Sequence, residues 1–261
     1  MKISRALGEA RGEWLWDRAI RFGMSVFETI AIHHGNPLFL DAHMDRLSRA
    51  AAGLMDVSID ALCAEARQVV QECVPEASGV VRVYVCAGEG GPLDPVDTPG
   101  GFVIAEECEV LAGPGGGLRA VIDAAPCVPA PGGWKTGNYW QNIRALRAAH
   151  ATGFSDAVLT GPDGSVISFA MGNLFALSGN RWLTPPPACG ARQGVVRGWV
   201  LENFPCEESP LTTDDLRSAE SVFMTNSRTG ISWVSELDGR PLTPGPIPDF
   251  AARYARDVLN A

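Results

Sequence analysis

The sequence predicts a protein of mixed α/β (α+β) type that is built from two domains. Strand-like and helix-like periodicities alternate along the chain, and a run of glycine and proline at residues 113–117 separates two such blocks. A length of 261 residues suits two domains that share a cleft. We therefore predict a smaller N-terminal domain over residues 1–112, a glycine-rich linker over 113–119 and a larger C-terminal domain over 120–261.

The first block is predicted from hydrophobic periodicity. Apolar residues at helical spacing indicate a helix at 60–74, whose buried face holds Leu62, Ala66 and Val70. The other predicted elements are a hairpin of strands 26–32 and 37–40, a helix at 41–54, and strands at 80–85 and 101–105.

The second block is predicted in the same way. Its clearest signal is the turn at residues 161–164, which joins strands at 156–160 and 165–168. The remaining predictions are strands at 120–125, 173–177, 182–184 and 221–224, and helices at 138–151, 194–204 and 248–260.

The composition excludes several classes of function. A formal net charge of −9 argues against general nucleic-acid binding. We find no apolar run long enough to span a membrane and no secretory signal, so we expect a cytoplasmic protein without membrane association. The seven cysteines are scattered singly, which suits reduced thiols better than disulfides or a metal centre.

Three patterns carry candidate chemistry. Lys135 follows a loop and precedes a predicted helix; an amine held against the protein interior loses proton affinity and condenses with aldehydes. Residues 194–197 open a helix after a glycine, where free backbone N–H groups attract phosphate. Residues 225–227 end a strand with hydroxyl and amide donors, and Arg46 could add positive charge. Each pattern alone also fits an ordinary surface residue, helix start or turn.

Taken together and in order, these patterns resemble the fold-type IV pyridoxal-phosphate enzymes. This family includes branched-chain and D-amino-acid aminotransferases and 4-amino-4-deoxychorismate lyase. The resemblance extends over nearly the whole chain. The matching segments are DRAIRFGMSVFET at 17–29, HMDRL at 43–47, Lys135 with Asn138, DGSV at 163–166, GNLF at 172–175, GVVR at 194–197 and TNS at 225–227.

The resemblance implies a two-domain D-amino-acid-aminotransferase-like fold with pyridoxal 5′-phosphate in the interdomain cleft. Lys135 would form the Schiff base and move the proton at the substrate carbon. Tyr139 would reach the phenolic oxygen of the cofactor. The phosphate would be held by Arg46, the backbone amides of Val195 and Val196, and Asn226 with Ser227. The resemblance also implies a homodimer.

The chain departs from the family pattern at the partner of the pyridine nitrogen. The family places a glutamate five residues before the asparagine of its S-N-x-F block, and here that residue is Ser168. A neutral hydroxyl does not stabilise a protonated pyridine as a carboxylate does. Val196 also replaces a threonine, and Met24-Ser25 replaces Asp-Gly. The resemblance therefore implies a weaker electron sink.

Three functions remain open at this stage. The first is a lyase that eliminates pyruvate to leave an aromatic amine, which needs no keto-acid acceptor. The second is an aminotransferase acting on branched-chain, D-amino or other primary amines. The third is a cofactor-binding protein without turnover. Arg82 is a candidate for binding a substrate carboxylate, with pairing to a surface acid as the alternative.

Overall fold

The computed structural model describes residues 2–7, 14–74, 78–111, 117–129 and 133–259. The chain forms two compact units. The first contains Met1–Val110 and Trp134–Asn138, and the second contains Leu111–Gly133 and Tyr139–Ala261. None of the described helices has the length and apolar character needed to span a membrane.

The first unit is an antiparallel sheet covered by two helices. The sheet order is β1-β5-β4-β2-β3. Helix α2 packs on β2, and α3 packs on β1 and β5. The elements are β1 (Lys2–Leu7), α1 (Arg18–Phe22), β2 (Ser25–His33), β3 (Asn36–Pro37), α2 (Leu40–Met55), α3 (Asp60–Cys73), β4 (Gly79–Cys86) and β5 (Gly100–Glu107).

The core of the first unit follows from two periodicities. Met44, Leu47 and Ala51 of α2 recur at helical spacing and are fully buried. They pack against residues of β2 such as Val26 and Ile30, which share one face of the strand because strand side chains alternate. Burying this apolar face stabilises the unit.

The segment Trp134–Asn138 pairs with the first half of β2. The N–H of Phe27 donates to the carbonyl of Lys135 at 2.9 Å, and the N–H of Gly137 donates to the carbonyl of Ser25 at 2.9 Å. An antiparallel bridge joins Val26 to Thr136. These bonds explain why Lys135 groups with the first unit, although the domain boundaries predicted above place it in the C-terminal part.

The second unit is built on a mixed sheet. Its order is β11-β10-β9-β12-β13-β6-β7-β8, with β14 paired to β13. The elements are β6 (Leu118–Ile122), α4 (Trp140–Ala151), β7 (Asp156–Thr160), β8 (Val166–Phe169), β9 (Asn173–Ser178), β10 (Arg181–Thr184), α5 (Val195–Asn203), β11 (Cys206–Glu208), α6 (Thr213–Ser218), β12 (Ser221–Asn226), β13 (Gly230–Leu237), β14 (Arg240–Pro241) and α7 (Ile247–Leu259).

Strand β6 lies between two strands from distant parts of the chain. It pairs in parallel with β13 on one side and with β7 on the other. Helix α4 packs on β7, α5 on β12 and α7 on β13. Buried residues such as Leu118, Val158, Phe169 and Val234 join the strands in one apolar cluster.

Two local predictions are wrong. The second strand of the first hairpin was predicted at 37–40, but β3 covers only Asn36–Pro37, the last bond to β2 runs from the N–H of Leu38 to the carbonyl of Ala31, and Leu40 already begins α2. The cause is Phe39, whose left-handed backbone (φ 54°) turns the chain into the helix. In addition, Leu118 and Arg119, predicted as linker, belong to β6, and this strand ends at Ile122 instead of continuing to residue 125 as predicted. Residues 113–116 of that linker lie outside the described residues, and the domain boundaries stay a prediction.

Candidate active site

Lys135 lies on the segment that pairs with β2. Its Nζ is 4.0 Å from the ring centroid of Phe27, a distance at which a cation interacts with an aromatic face. The segment is fixed further along, because Asn138 Nδ2 donates to the carbonyl of Gly23 at 3.3 Å. Gly23 has φ 71°, and a Cβ there would lie 2.2 Å from Asn138 Oδ1. The turn beside the lysine segment therefore requires glycine.

A buried ionic cluster in the same unit contains Glu28, His43 and Arg46. Arg46 donates to Glu28 through Nε (2.7 Å) and Nη2 (2.5 Å), and His43 Nδ1 lies 2.7 Å from the same carboxylate. Burial alone would raise the pKa of Glu28, but the charge of Arg46 and these hydrogen bonds hold it at about 2.

His43 is buried and neutral in this cluster. Burial lowers its pKa, against the opposing effect of Glu28, and the charges of Arg46 and Lys135 lower it further. Because Glu28 is ionised, the Nδ1 of His43 carries the proton and donates it to the carboxylate. Arg46, the sequence candidate for binding phosphate, thus has its guanidinium held in a fixed orientation by Glu28.

The start of α5 in the second unit offers backbone donors. Gly194 is the N-cap and brings no side chain to bond the first turn. Within the described residues, the N–H groups of Val195 and Val196 have no acceptor. A Cβ on Gly194 would lie 2.0 Å from Asn173 Oδ1, so the absence of a side chain keeps this helix start open. Free N–H groups and the helix dipole make it suited to an anion.

The end of β12 lies next to this helix start. Thr225 is opposite Asn173 in the β9–β12 register, and its hydroxyl is buried without a partner among the described residues. Asn226 uses its side chain within the protein: Oδ1 accepts from the N–H of Thr229 at 2.8 Å, and Nδ2 donates to the carbonyl of Met171 at 3.2 Å. Ser227 is half-buried in the turn that follows.

Ser168 is buried in β8 and is 7% exposed. Its hydroxyl donates to the carbonyl of Phe169 at 2.8 Å, so its proton is directed to its own backbone. The residue expected from the resemblance to face the pyridine nitrogen is therefore a neutral hydroxyl that is already hydrogen-bonded.

The loop after Ser168 is held by a buried acid. Asp156 accepts from the N–H of Ala157 (2.7 Å) and of Ala170 (3.1 Å) and from the N–H of Met171. Burial raises the pKa of Asp156 to about 7, although these N–H bonds work to lower it. Asn142 Nδ2 donates to the carbonyl of Ala170 at 2.8 Å and fixes the same loop.

Tyr139 contacts an arginine that the sequence did not single out. Arg192 Nη1 donates to the Tyr139 hydroxyl at 2.6 Å, and its Cζ is 4.7 Å from the ring centroid. Its sequence signal was its place two residues before Gly194, the glycine of the predicted phosphate-binding turn.

Arg82, the candidate for binding a substrate carboxylate, forms an ion pair with Glu106. The distance from Nη1 to Oε2 is 3.1 Å, and both side chains are about one third exposed, at 30% and 32%. This pair favours the alternative of a strand arginine matched to a surface acid. No cluster of metal-ligating side chains is found in the described part of the chain.

Comparison with known proteins identifies the family. The model of the family described as "Amino-transferase class IV" matches residues 25–237, which is most of the chain. The chain belongs to the class IV aminotransferases. The resemblance read from the ordered motifs is therefore confirmed.

Relatives within the class IV aminotransferases carry different activities in their names. A bifunctional aminodeoxychorismate lyase / D-amino acid transaminase from Mycobacterium tuberculosis is 28% identical over 266 residues, covering 90% of this chain and 89% of that protein. An aminodeoxychorismate lyase from Vibrio harveyi is 25% identical over 235 residues, covering 85% and 86%.

The fold of class IV aminotransferases is also confirmed. A branched-chain aminotransferase from Thermoproteus uzoniensis, solved with norvaline, superposes with a TM-score of 0.87 at 24% identity, covering 100% of this chain and 95% of that one. The predicted fold-type IV architecture is therefore correct.

Class IV aminotransferases use pyridoxal phosphate, and the residues of this chain fit that group. A primary amine is present at Lys135, and the open helix start at Gly194 offers free N–H groups to the phosphate. The buried hydroxyl of Thr225, which has no partner in the described ranges, is a further donor beside that helix start.

Proposed function

We propose that this protein binds pyridoxal 5′-phosphate through Lys135 and through anion-binding groups of the second unit. The phosphate would be held by the N–H groups of Val195 and Val196 and by the turn at Asn226 and Ser227. The free amides at the start of α5 are the observation that supports this assignment. The side chain of Asn226 holds its turn through the N–H of Thr229 and the carbonyl of Met171.

We further propose roles for the remaining residues. The cofactor, when bound, supplies an acceptor for electrons released at the substrate carbon. Lys135 would hold the aldehyde group of the cofactor, and once the substrate amine has taken its place the freed Nζ would carry the proton at the amine-bearing carbon of the substrate. Arg46, fixed by Glu28, adds positive charge for the phosphate, and Tyr139 donates to the phenolic oxygen. Fixed donors lower the cost of orienting the reacting groups.

The reaction we propose is that of a lyase resembling 4-amino-4-deoxychorismate lyase, which eliminates pyruvate and leaves an aromatic amine. We prefer the lyase because of Ser168. A neutral residue beside the pyridine nitrogen would not stabilise its protonated form, so the cofactor would accept electrons from the substrate less strongly. Elimination expels its leaving group from the adjacent carbon and needs no keto-acid acceptor. It therefore tolerates a weaker sink than transamination.

The second candidate is an aminotransferase on branched-chain, D-amino or other primary amines. The relative from Mycobacterium tuberculosis is named for both a lyase and a transaminase activity, which supports keeping both reactions for this chain. A requirement for 2-oxoglutarate or pyruvate as acceptor distinguishes the aminotransferase from the lyase.

We also propose a cytoplasmic homodimer. All seven cysteines are free, as expected in a reducing compartment. Trp16 and Trp140 expose 54% and 70% of their surface, and aromatic residues of this kind are enriched where protein surfaces meet. Sedimentation equilibrium tests the dimer, whose mass would be twice the 27.7 kDa of the chain.

The first experiment tests cofactor binding. Purified protein is mixed with pyridoxal phosphate, its visible spectrum is recorded, and borohydride is added before peptide mapping. We expect a yellow protein with the cofactor fixed to the peptide that contains Lys135. Lys135→Gln is the control, because it removes the amine and keeps a side chain of similar length.

The outcomes are distinct. A wild-type chain that stays colourless while folded, or label on a different lysine, contradicts the assignment of Lys135. Cofactor fixed to Lys135 without turnover of any amine would favour the third possibility, a binding protein without catalysis. Pyruvate release without an added keto acid would identify the lyase.

A further inference from the structure

Arg192 is a partly buried cation that has no acid partner among the residues that the structure describes. Every other arginine of the described ranges that is at least partly buried has an acid or a set of backbone carbonyls around it. The acid-paired arginines are Arg46, Arg67, Arg82, Arg144, Arg197 and Arg253. Arg18 is enclosed by the carbonyls of Ala87, Gly88, Asp94 and Pro95.

The only side-chain hydrogen bond of Arg192 in the described part of the chain goes to a phenol. Nη1 donates to the Tyr139 hydroxyl at 2.6 Å, while a guanidinium has five N–H donors. Asp123, which like Arg192 lies close enough for its charge to act on Cys127, does not pair with Arg192, because Arg144 holds it through two contacts of 3.3 and 2.5 Å. A partly desolvated guanidinium with unused donors is a strong attractor for a planar anion.

The backbone that carries Arg192 is fixed on both sides. Asn173 Nδ2 donates to the Arg192 carbonyl at 2.7 Å, and the N–H of Gly194 donates to the same oxygen at 2.8 Å. Two residues earlier, Gly190 packs against Pro129, whose Cγ lies 2.2 Å from where a Cβ would be. The guanidinium therefore stands on a rigid segment, which lowers the entropy cost of binding a ligand.

We propose that Arg192 binds the carboxylate of the substrate, with the Tyr139 hydroxyl beside it. This inference rests on the proposed function for the identity of the substrate, an amine that carries a carboxylate. The planar fork of arginine matches the two oxygens of a carboxylate in a bidentate pair. A phosphate already has the free amides at the start of α5, so the carboxylate is the anion left for Arg192.

The proposal is tested first without the cofactor. Benzoate and propionate, carboxylates without an amino group, are titrated into the apoprotein by calorimetry. We expect Arg192→Gln to weaken their binding by about tenfold or more, the effect of losing a charge-assisted hydrogen bond. Arg147→Gln is the matched control, since it removes one exposed arginine from α4 and should change nothing.

A double variant distinguishes carboxylate binding by Arg192 from an effect of Arg192 on the position of Tyr139. The loss caused by Arg192→Gln should persist when Tyr139→Phe is also present, because the guanidinium still meets the carboxylate. In the cofactor-loaded enzyme, Arg192→Gln should raise the KM of an amino acid substrate and leave the KM of benzylamine, which has no carboxylate, unchanged.

Several results overturn the proposal. Wild-type apoprotein that binds neither carboxylate, or binds both as weakly as Arg192→Gln, removes Arg192 as a carboxylate site. An effect that vanishes in the Tyr139→Phe background means that Arg192 only orients the tyrosine. An equal loss of inorganic phosphate binding in Arg192→Gln assigns the residue to phosphate instead. Failure of the cofactor to bind refutes the proposed function and leaves the apoprotein result intact.

Discussion

At the scale of single residues, the buried carboxylate of Glu28 holds two neighbouring side chains, those of Arg46 and His43, in fixed orientations. Glu28 receives two hydrogen bonds from Arg46 and one from His43, and it stays ionised although it is buried. The protein thereby fixes the direction in which the Arg46 guanidinium points. An arginine that is oriented before a ligand arrives loses less entropy on binding.

Replacing Ser168 by glutamate tests whether this residue favours elimination over transamination. We expect Ser168→Glu to raise transaminase turnover by roughly tenfold or more, because a carboxylate beside the pyridine nitrogen shifts its protonation by one or more pK units. Ser168→Gln is the control, since it has the same size without the charge. Turnover with a keto-acid acceptor is measured for both variants.

Two outcomes would contradict this prediction. Equal transaminase rates in Ser168→Glu and Ser168→Gln would show that charge at this position does not limit the reaction. A wild-type enzyme that already transaminates as fast as Ser168→Glu would refute the weak-sink argument. Because Ser168 is buried, circular dichroism must first show that both variants are folded.

Pairings between distant residues are what the sequence could not supply. Lys135, Ser168 and residues 194–196 could be put forward as candidates because each lies in a local motif. Arg192 and Tyr139 are 53 positions apart, and Glu28 and Arg46 are 18 positions apart. No local periodicity links such pairs, so the phenol–guanidinium contact and the shared carboxylate appear only when the chain is folded.

At the scale of elements, the N-cap glycine of α5, Gly194, and the glycine inside the helix, Gly198, have opposite surroundings. Nothing outside the helix lies within 4 Å of a Cβ placed on Gly198, whereas a Cβ on Gly194 would meet Asn173 Oδ1 at 2.0 Å. We expect Gly198→Ala to stabilise the protein by roughly 0.5–1 kcal/mol, because alanine restricts the unfolded chain.

Gly194→Ala should act in the opposite direction. Its methyl group would displace the Asn173 side chain, which donates to the Arg192 carbonyl, and we expect a loss of about 1 kcal/mol together with weaker cofactor binding. Urea denaturation measures stability and the visible spectrum measures binding. Equal stability of the two alanine variants would contradict the open-helix-start argument.

The elements themselves were largely predictable. Helices α2, α3 and α7 match their predicted ranges within one residue at each end, because their apolar faces recur at helical spacing. Strands β1 and β13 were not predicted. Ser4 and Ser232, together with charged neighbours such as Arg5, interrupt the apolar pattern, and only pairing with neighbouring strands fixes these segments as strands.

At the scale of the whole molecule, two buried acids give opposite pH dependences. Glu28 has its pKa lowered from 4.5 to about 2, so its contribution to stability is present above pH 4.5 and is lost as the pH falls towards 2. Asp156 has its pKa raised from 3.8 to about 7. The folded state therefore keeps a proton that the unfolded state releases, and stability falls as the pH rises from about 4 to 7.

The raised pKa of Asp156 predicts that Asp156→Asn makes the stability of the protein depend less on pH between pH 4 and 7. Asparagine keeps an acceptor oxygen for the N–H groups and cannot ionise, so the fall in stability between pH 4 and 7 should shrink by up to about 4 kcal/mol. Urea denaturation at several pH values measures the effect. Parallel pH profiles for wild type and variant would contradict the burial argument for Asp156.

The sequence predicted two mixed α/β units, but it did not predict which segments belong to each unit. Alternating periodicities indicated two mixed blocks, and the family fold agrees with them. Which unit holds Lys135 could not be inferred, because the hydrogen bonds of residues 134–138 to β2 join segments more than a hundred positions apart. Such long-range pairing has no signature in local composition.

The position of β6 between β7 and β13 also governs how the second unit is assembled during synthesis. At about 5–20 residues per second, the ribosome completes β7 a few seconds after β6, and β13 on the order of ten seconds after β6. Throughout that interval the β13-facing edge of β6 has its backbone groups exposed to other nascent chains. Translation pauses between residues 160 and 230 would lengthen this exposure, whereas pauses after residue 237 would not.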